Sequence, residues 1–511
     1  MVPEDDAPVN RDPTTTRLLW AVVAVGFAVR AWHVGWGLPR HYHPDEPGVL
    51  AHVSRMLHGD LVMHTYIHGP LQKYVIWLVA TLLRPVGVSV SGDALYRLGR
   101  WLSVIVGTLA APATFALARP VVRGRWALLA AAFVAVLPLS VTLSRYAVTD
   151  PWLGLFYTLS AAFAVRAATA PDWKVWSLGG LTLGLALGCK LSALGLGVPW
   201  AVALGYLGGR EGWRAAARGT GASAGGLLLG LALGYPTLPW SLATFQHDVL
   251  GAASQAAVAG HQGTRLGPAE VGWLYYVRTV LAPVIGPIAG AAGVLGIGLS
   301  VRRHRPGDVV LLAATLPYLA VIESAYVVLP SPERYALPLA GPIAVWVALG
   351  TAALARAAAW RRRGIALAVV VVLAWPAVDT LGLALDLGTD TRDEATAWLR
   401  DHVTPDARIA SFGLRAYLPS LPPRARTISL REDGRTRPDF VVLTSMSTDR
   451  WLRYPDQAPA RTHLLQWVRS GTLLYAARPG WRTYQFNEPV IEVWRPPASR
   501  LPRSQGRRAR Q

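Results

Sequence analysis

Two adjacent carboxylates, Asp45 and Glu46, sit between prolines in RHYHPDEPG (residues 40–48), shortly after an apolar stretch that begins at Leu18. Two imidazoles, His41 and His43, precede them. Two readings of the acidic pair are open. PGVLAHVSRMLHG has the pattern of an amphipathic helix starting at Pro47, and an acid just ahead of it stabilises a helix N-terminus. The same acid at a membrane surface can serve as a general base or charge stabiliser, because a low dielectric amplifies its field.

Four further stretches carry similar residue types. YIHGPLQKY (66–74) holds His68 and Lys73, and SRYAVTDPWLGLF (144–156) holds Arg145 and Asp150. GCKLSAL (188–194) holds Lys190, and SPERYALP (331–338) holds Glu333, Arg334 and Tyr335. Taken singly, each has an ordinary reading as a cap, a snorkelling cation or a surface ion pair. Their meaning depends on whether the fold brings them together.

The elements that must do so are apolar. Hydrophobic residues make up 52% of the 511 and charged residues 16%, and runs long enough for a hydrocarbon core of about 30 Å recur along the chain. The expected fold is mostly α: a polytopic transmembrane bundle with interfacial helices and a small extracytoplasmic α/β domain. The first run is expected to stay as a helix, since Val9–Arg17 is polar and no small-residue cleavage site follows Trp36. Candidate segments are 18–36, 71–88, 98–118, 126–142, 151–168, 175–189, 190–208, 220–242, 273–300, 309–329, 335–355 and 364–385. The basic loops (Arg119, Arg123 and Arg125; Arg210, Arg214 and Arg218; Arg302, Arg303 and Arg305; Arg356 and Arg361–Arg363) fall on one side with Arg11 and Arg17 only if one early segment does not cross. Segment 71–88, broken by Lys73, Arg84 and Pro85, is the one expected to lie at the interface. About eleven spans follow, with a cytoplasmic tail (1–17), a transmembrane domain (18–389) whose first outer loop is 37–97, and an outer C-terminus. This assignment puts the HPDE loop, SRYAVTD, Lys190, the loop 243–272 and SPERY on one outer face. Four innocent coincidences there are less probable than one site.

Glycines at 180, 184 and 188 and at 226, 230 and 234 recur every four residues, a spacing that lets helices approach closely in lipid. After Leu385 the composition changes. Residues 390–499 read as an α/β domain, with strands at ARIASF, DFVVLTS, TLLYAA and VIEVWR and helices at 393–403 and THLLQWVRS. Residues 500–511 read as a basic disordered tail. The net charge of +20 is dispersed among loops and only three residues are lysine, so no nucleic-acid partner is expected. The single cysteine, Cys189, leaves no intrachain disulfide.

In order, HPDE, HGPLxKY, SRxAxxDxxLxxF, GxxxGLALGxKxSxL and PERYxLPLxGP resemble the polyprenol-phosphate-sugar-dependent glycosyltransferases of the C-type fold, nearest to the protein O-mannosyltransferase and aminoarabinose-transferase branch. The resemblance covers residues 18–210 and the 331–342 motif. It implies transfer of a single sugar from a polyprenyl-phosphate carrier to an outer-face acceptor: a protein, a lipid or a glycan. It further implies Asp45 as base with Glu46 assisting, Asp150 positioning acceptor or donor, and Arg145, Lys190 and Arg334 holding the donor phosphate. His43, His68, Lys73, Glu333 and Tyr335 join them as substrate contacts. His41, His43 and His68 could tune the acid, contact sugar hydroxyls or bind a divalent metal, but their spacing matches no strong zinc pattern, and no cofactor is expected.

The chain departs from the family where Gly69–Pro70 replaces a proline pair. The absence of a WWD-type motif argues against en bloc glycan transfer. Glu323, inside an apolar segment, is a further candidate. A transporter or flippase would spread polar residues through the depth of several helices, and a non-catalytic envelope scaffold would rely on the C-terminal domain.

Overall fold

The computed structural model describes residues 12–122, 124–170, 172–259, 272–324, 332–358, 362–428, 437–457 and 459–498. Expectations for residues 1–11, 260–271 and 500–511 lie outside the described residues.

In chain order the helices are α1 (Pro13–Ala31), α2 (Glu46–Leu57), α3 (Leu71–Leu83), α4 (Gly92–Ala118), α5 (Trp126–Val136), α6 (Pro138–Leu143), α7 (Asp150–Thr169), α8 (Trp173–Cys189), α9 (Gly197–Glu211), α10 (Trp213–Gly234), α11 (Leu242–Ala259), α12 (Tyr276–Ile285), α13 (Pro287–Arg303), α14 (Pro306–Ser324), α15 (Ala340–Ala357), α16 (Arg362–Asp386), α17 (Thr391–His402), α18 (Ser445–Arg453) and α19 (Pro459–Arg469). The first helix begins at Pro13 because Asp12 caps it, accepting from the Thr14 N–H at 3.0 Å. It stops at Ala31, and the rest of the first apolar run is turn, with Gly37 at φ 68°.

Among the described residues, six helical stretches are long and apolar enough to cross a membrane: α1, α4, Leu191–Glu211, α14, Pro332–Ala357 and Arg362–His402. The pair α12 and α13, bent by 116°, makes a seventh if it counts as one crossing. The chain is a multi-pass membrane protein. The other expected spans are helical in a different way. The run 126–142 breaks before Pro138 into α5 and α6, and α8 has only 17 residues. Helices α7 and α10 carry Arg166, Arg214 and Arg218. Most of α7 is buried by neighbouring helices, so it has little need of a lipid-facing apolar surface. Helix α3 has 13 residues, about 20 Å at 1.5 Å per residue, too short to cross. That agrees with an interfacial 71–88.

Polar contacts divide the bundle into two ends. Arg125 pairs with Asp12 at 3.2 Å, Arg303 reaches the Val121 carbonyl and pairs with Asp308, and Arg210 reaches the Ala168 carbonyl. The basic loops therefore gather at one end. The first residue of α7 and the residue after α8 lie at the other.

Helices α8 and α10 touch through their backbones. A Cβ on Gly180 or Gly226 would come within 2.0 Å of the Ser223 or Ser177 carbonyl oxygen, and one on Gly230 within 2.4 Å of that of Leu181. The four-residue glycine spacing supplies this contact.

Beyond α16 lies a five-stranded sheet of β1 (Arg408–Ser411), β2 (Arg426–Ile428), β3 (Phe440–Thr444), β4 (Thr472–Ala477) and β5 (Ile491–Arg495), in the order β2-β1-β3-β5-β4. Strands β1, β2 and β3 are parallel, and β5 runs antiparallel to both β3 and β4. Ala395 and Leu399 of α17 pack with Ile409, Val442 and Val493, while Leu464, Leu465 and Val468 of α19 pack with Val441 and Leu443. The four strands expected from sequence are present. Strand β2 went unrecognised because it is only three residues long and little buried.

Candidate active site

Asp45 occupies the N-cap position of α2, yet its side chain makes no cap hydrogen bond. It pairs instead with Arg334, nearly 300 residues away and at the start of the α15 stretch. The Arg334 guanidinium lies 5.3 Å from the centre of the Tyr335 ring, and Lys190 Nζ lies 4.3 Å from the same ring. Lys190 in turn donates to Asp150 Oδ1 at 3.3 Å. Two carboxylate–cation pairs thus meet across one aromatic ring. Burial alone would raise the Asp45 carboxyl, but Arg334, helped by His43 and His68, outweighs it and holds the acid below the usual carboxylate range.

His68 lies within electrostatic reach of Asp45, Arg334 and Lys190, and burial pushes its imidazole down to about 4. At neutral pH it is uncharged. His43 is buried against the rings of Tyr146 (4.4 Å) and Phe486 (4.7 Å), and its Nδ1 accepts from the Asp45 backbone N–H at 3.2 Å. Burial lowers its pKa as well.

Local chain geometry sets these side chains. Asp150 opens α7 and is followed by Pro151, a residue suited to the first helical turn. Lys190 ends α8 in an extended conformation (φ −165°, ψ 136°), which turns its side chain out of the helix and toward Asp150. Gly69 explains the departure from a proline pair. A Cβ there would come within 2.0 Å of the Cys189 carbonyl oxygen, so the His68 loop rests directly on the end of α8. Gly69→Ala is expected to push this loop away from Lys190 and cut turnover at least about 10-fold. Steady-state rates in detergent check it, and wild-type turnover would remove this role for the loop contact.

Three residues expected at the site, Glu46, Lys73 and Arg145, are turned elsewhere. Glu46 is fully buried in a bidentate pair with Arg100 (2.8 and 2.6 Å) and also accepts from the Ala147 N–H at 2.7 Å. Its oxygens are committed to structure. Lys73 is buried and donates to the His68 carbonyl at 3.1 Å, bracing the loop from behind, and burial lowers its pKa to about 8. Arg145 is buried and donates to the Val29 carbonyl at 2.9 Å. Glu333 lies within electrostatic reach of Tyr276, Tyr484 and Arg482. Of the other candidates, His41 pairs with Asp93, and Glu323 accepts from the Val277 N–H at 3.1 Å. No group of three or more His, Cys, Asp or Glu side chains is placed to hold a metal ion among the described residues.

Other residues at the site carry no motif. Tyr417 lies within electrostatic reach of Asp45 and Arg334 and stacks on Phe486 at 6.0 Å. Arg392, fully buried, pairs with Asp390 and covers the Tyr42 ring at 3.8 Å, tying α17 to the first loop. Arg100 did carry a signal, since a charge within an apolar helix needs a buried partner.

Residues 20–249 match the family model described as dolichyl-phosphate-mannose-protein mannosyltransferase. No curated protein matches by sequence. Among solved structures, the archaeal oligosaccharyltransferase AglB from Archaeoglobus fulgidus, in complex with an inhibitory peptide and a dolichol-phosphate, superposes with a TM-score of 0.51 at 13% identity, covering 92% of this chain and 73% of that one. ArnT from Cupriavidus metallidurans bound to undecaprenyl phosphate gives 0.48 at 14% identity, covering 95% and 98%. Against the apo form of the Archaeoglobus enzyme this chain spans 59% of the length.

Proposed function

From a chain with the C-type glycosyltransferase fold and a mannosyltransferase-family match over residues 20–249, we propose a membrane glycosyltransferase that moves one sugar from a polyprenyl-phosphate carrier to an acceptor hydroxyl at the extracytoplasmic surface. The observation that carries this reading is the run Asp45–Arg334–Tyr335–Lys190–Asp150, at the end of the bundle away from the basic loops. A positive-inside arrangement of those loops makes the site end extracytoplasmic. The dolichol-phosphate and undecaprenyl phosphate bound by the two structural neighbours suggest the carrier class.

In the proposed reaction the acceptor oxygen attacks the anomeric carbon and forms a new C–O bond. The bond from that carbon to the phosphate oxygen breaks, and the lipid phosphate leaves with the electron pair. The acceptor proton passes to Asp45, and a single displacement inverts the anomeric centre. Arg334 and Lys190 stabilise the charge growing on the leaving phosphate. Asp150 orients Lys190, and His68 contributes a neutral hydrogen-bonding ring to the sugar. Glu46 and Lys73 act through the scaffold. Arg145, which donates to the Val29 carbonyl, acts through the scaffold as well.

Donor binding also solves a chemical problem. An acid paired with arginine is a poor base. A phosphate that takes over the Arg334 guanidinium leaves Asp45 without its strongest opposing charge, and its basicity rises. The base is then strongest when a donor is present.

The test is to incubate purified protein with a panel of polyprenyl-phosphate sugars and measure release of the lipid phosphate. Acceptor-dependent release from one sugar is expected. Failure of every donor in the panel to bind or react would end this reading.

A further inference from the structure

The segment between β4 and β5 is buried from Tyr484 to Pro489, although it belongs to the sheet unit. It is an awkward segment to bury. Gln485 and Glu488 hold left-handed backbone angles (φ 54° and 49°) without being glycine. The Gln485 amide lies beside the Tyr484 hydroxyl outside normal hydrogen-bond geometry, and Asn487 Nδ2 meets no acceptor. A segment needed only to fill space would be apolar and relaxed.

Three anchors fix it. The Phe486 carbonyl accepts from Arg392 Nη2 at 3.1 Å, Glu488 Oε2 accepts from the Thr391 N–H at 3.0 Å, and Asn487 Oδ1 accepts from the Tyr146 hydroxyl. Between those anchors, Phe486 meets the His43 ring edge-on at 4.7 Å, and the Tyr146 ring packs on His43 at 4.4 Å. His43 Nδ1 receives the Asp45 N–H. From the sheet to the carboxylate the contact chain is only Phe486, His43 and Asp45.

We propose that Phe486 is a positioning residue for transfer: it clamps His43, His43 holds the Asp45 backbone, and the Asp45 carboxylate is thereby aimed at the acceptor. The inference rests on the transfer reading and extends it, because it makes the sheet unit part of the reaction machinery. Among the described residues Arg334 and Lys190 lie over the Tyr335 ring and not over that of Phe486, so donor binding is taken not to pass through it.

The test uses the full chain with Phe486→Ala and Phe486→Leu. For Phe486→Ala, kcat falls between about 10- and 100-fold, as for a small misplacement of a reacting group, while donor KM and affinity for undecaprenyl phosphate stay within about twofold. Phe486→Leu recovers most of kcat. A second readout does not depend on turnover. In ¹⁵N-histidine-labelled protein, loss of the Phe486 ring opens His43 to solvent, and its titration moves up toward an ordinary imidazole. The groups within electrostatic reach of His43 (Asp45, Glu46, Arg100 and Arg334) and the Tyr146 ring are left intact.

Wild-type kcat, or kcat and lipid-phosphate affinity falling together, overturns the proposal. If Phe486→Ala does not accumulate, Phe486→Leu carries the test, with a smaller kcat loss and an upward His43 titration expected and unchanged values overturning it. If the wild-type protein transfers from no donor, the transfer reading fails. The His43 titration then judges the clamp by itself, and an unmoved value overturns it.

Discussion

Asp45→Asn is expected to lower sugar transfer about 10³-fold while the protein folds, inserts and binds lipid phosphate as before. The size follows from loss of a positioned general base, which supplies 10²- to 10⁴-fold. The selectivity follows from the ion pair. Arg334 loses its carboxylate partner but keeps its guanidinium against the Tyr335 ring, so a phosphate meets an unopposed cation and binds at least as well. The combination of lost kcat and retained or improved lipid-phosphate affinity distinguishes a base from a binding residue. Release of lipid phosphate and equilibrium binding of undecaprenyl phosphate measure the two quantities. Wild-type turnover in the variant would take the base away from Asp45.

The neighbouring acid is expected to behave in the opposite way. Glu46→Ala leaves Arg100 charged, buried and without its carboxylate, and removes the acceptor for the Ala147 N–H. Breaking a buried pair from one side costs about 3–5 kcal/mol. The variant therefore melts well below wild type and below Asp45→Asn, and its activity falls with its folded fraction. Arg100 also donates to the Val34 and Trp36 carbonyls, so the first loop loosens with it. Replacing both partners, as Glu46→Leu with Arg100→Leu, is expected to regain part of the lost stability, because no orphaned charge remains. Thermal melts of the four proteins in one detergent decide the matter. A Glu46→Ala protein as stable as wild type would mean that the pair does not hold the loop.

That two consecutive acids have separate partners, Arg334 for Asp45 and Arg100 for Glu46, shows where sequence reasoning stops. Residues at a helix start project about 100° apart, so Asp45 and Glu46 cannot both face one pocket, and the motif does not say which one does. The same limit applies to Lys73, whose side chain turns back to the His68 carbonyl. Chain position located each cluster; side-chain direction needed the packed fold. The bundle itself was more legible. Apolar runs and arginine-rich loops located the helices, and the broken run 71–88 was recognised as too interrupted to cross. The four-residue glycine spacing marked α8 and α10 as helices that can pack closely, and the fold pairs them with each other. Spans such as α7 were harder, because a helix buried among helices owes little to lipid and its composition says less about crossing. Phe486, Tyr146 and Tyr417 were beyond reach. Aromatic residues so far apart along the chain carry no spacing to read.

The backbone contact between α8 and α10 has a consequence for Lys190 and Arg334. No layer of side chains lies between Gly184 and Gly230 to be repacked, so neither helix can slide without collision, and Lys190 at the end of α8 is a fixed post. Arg334 stands on a short 3₁₀ stretch, Pro332–Leu339, whose hydrogen bonding is weaker than that of an α-helix. Of the two cations that meet at the Tyr335 ring, the lysine is the one held in place, and the arginine is the one whose backbone has freedom to shift.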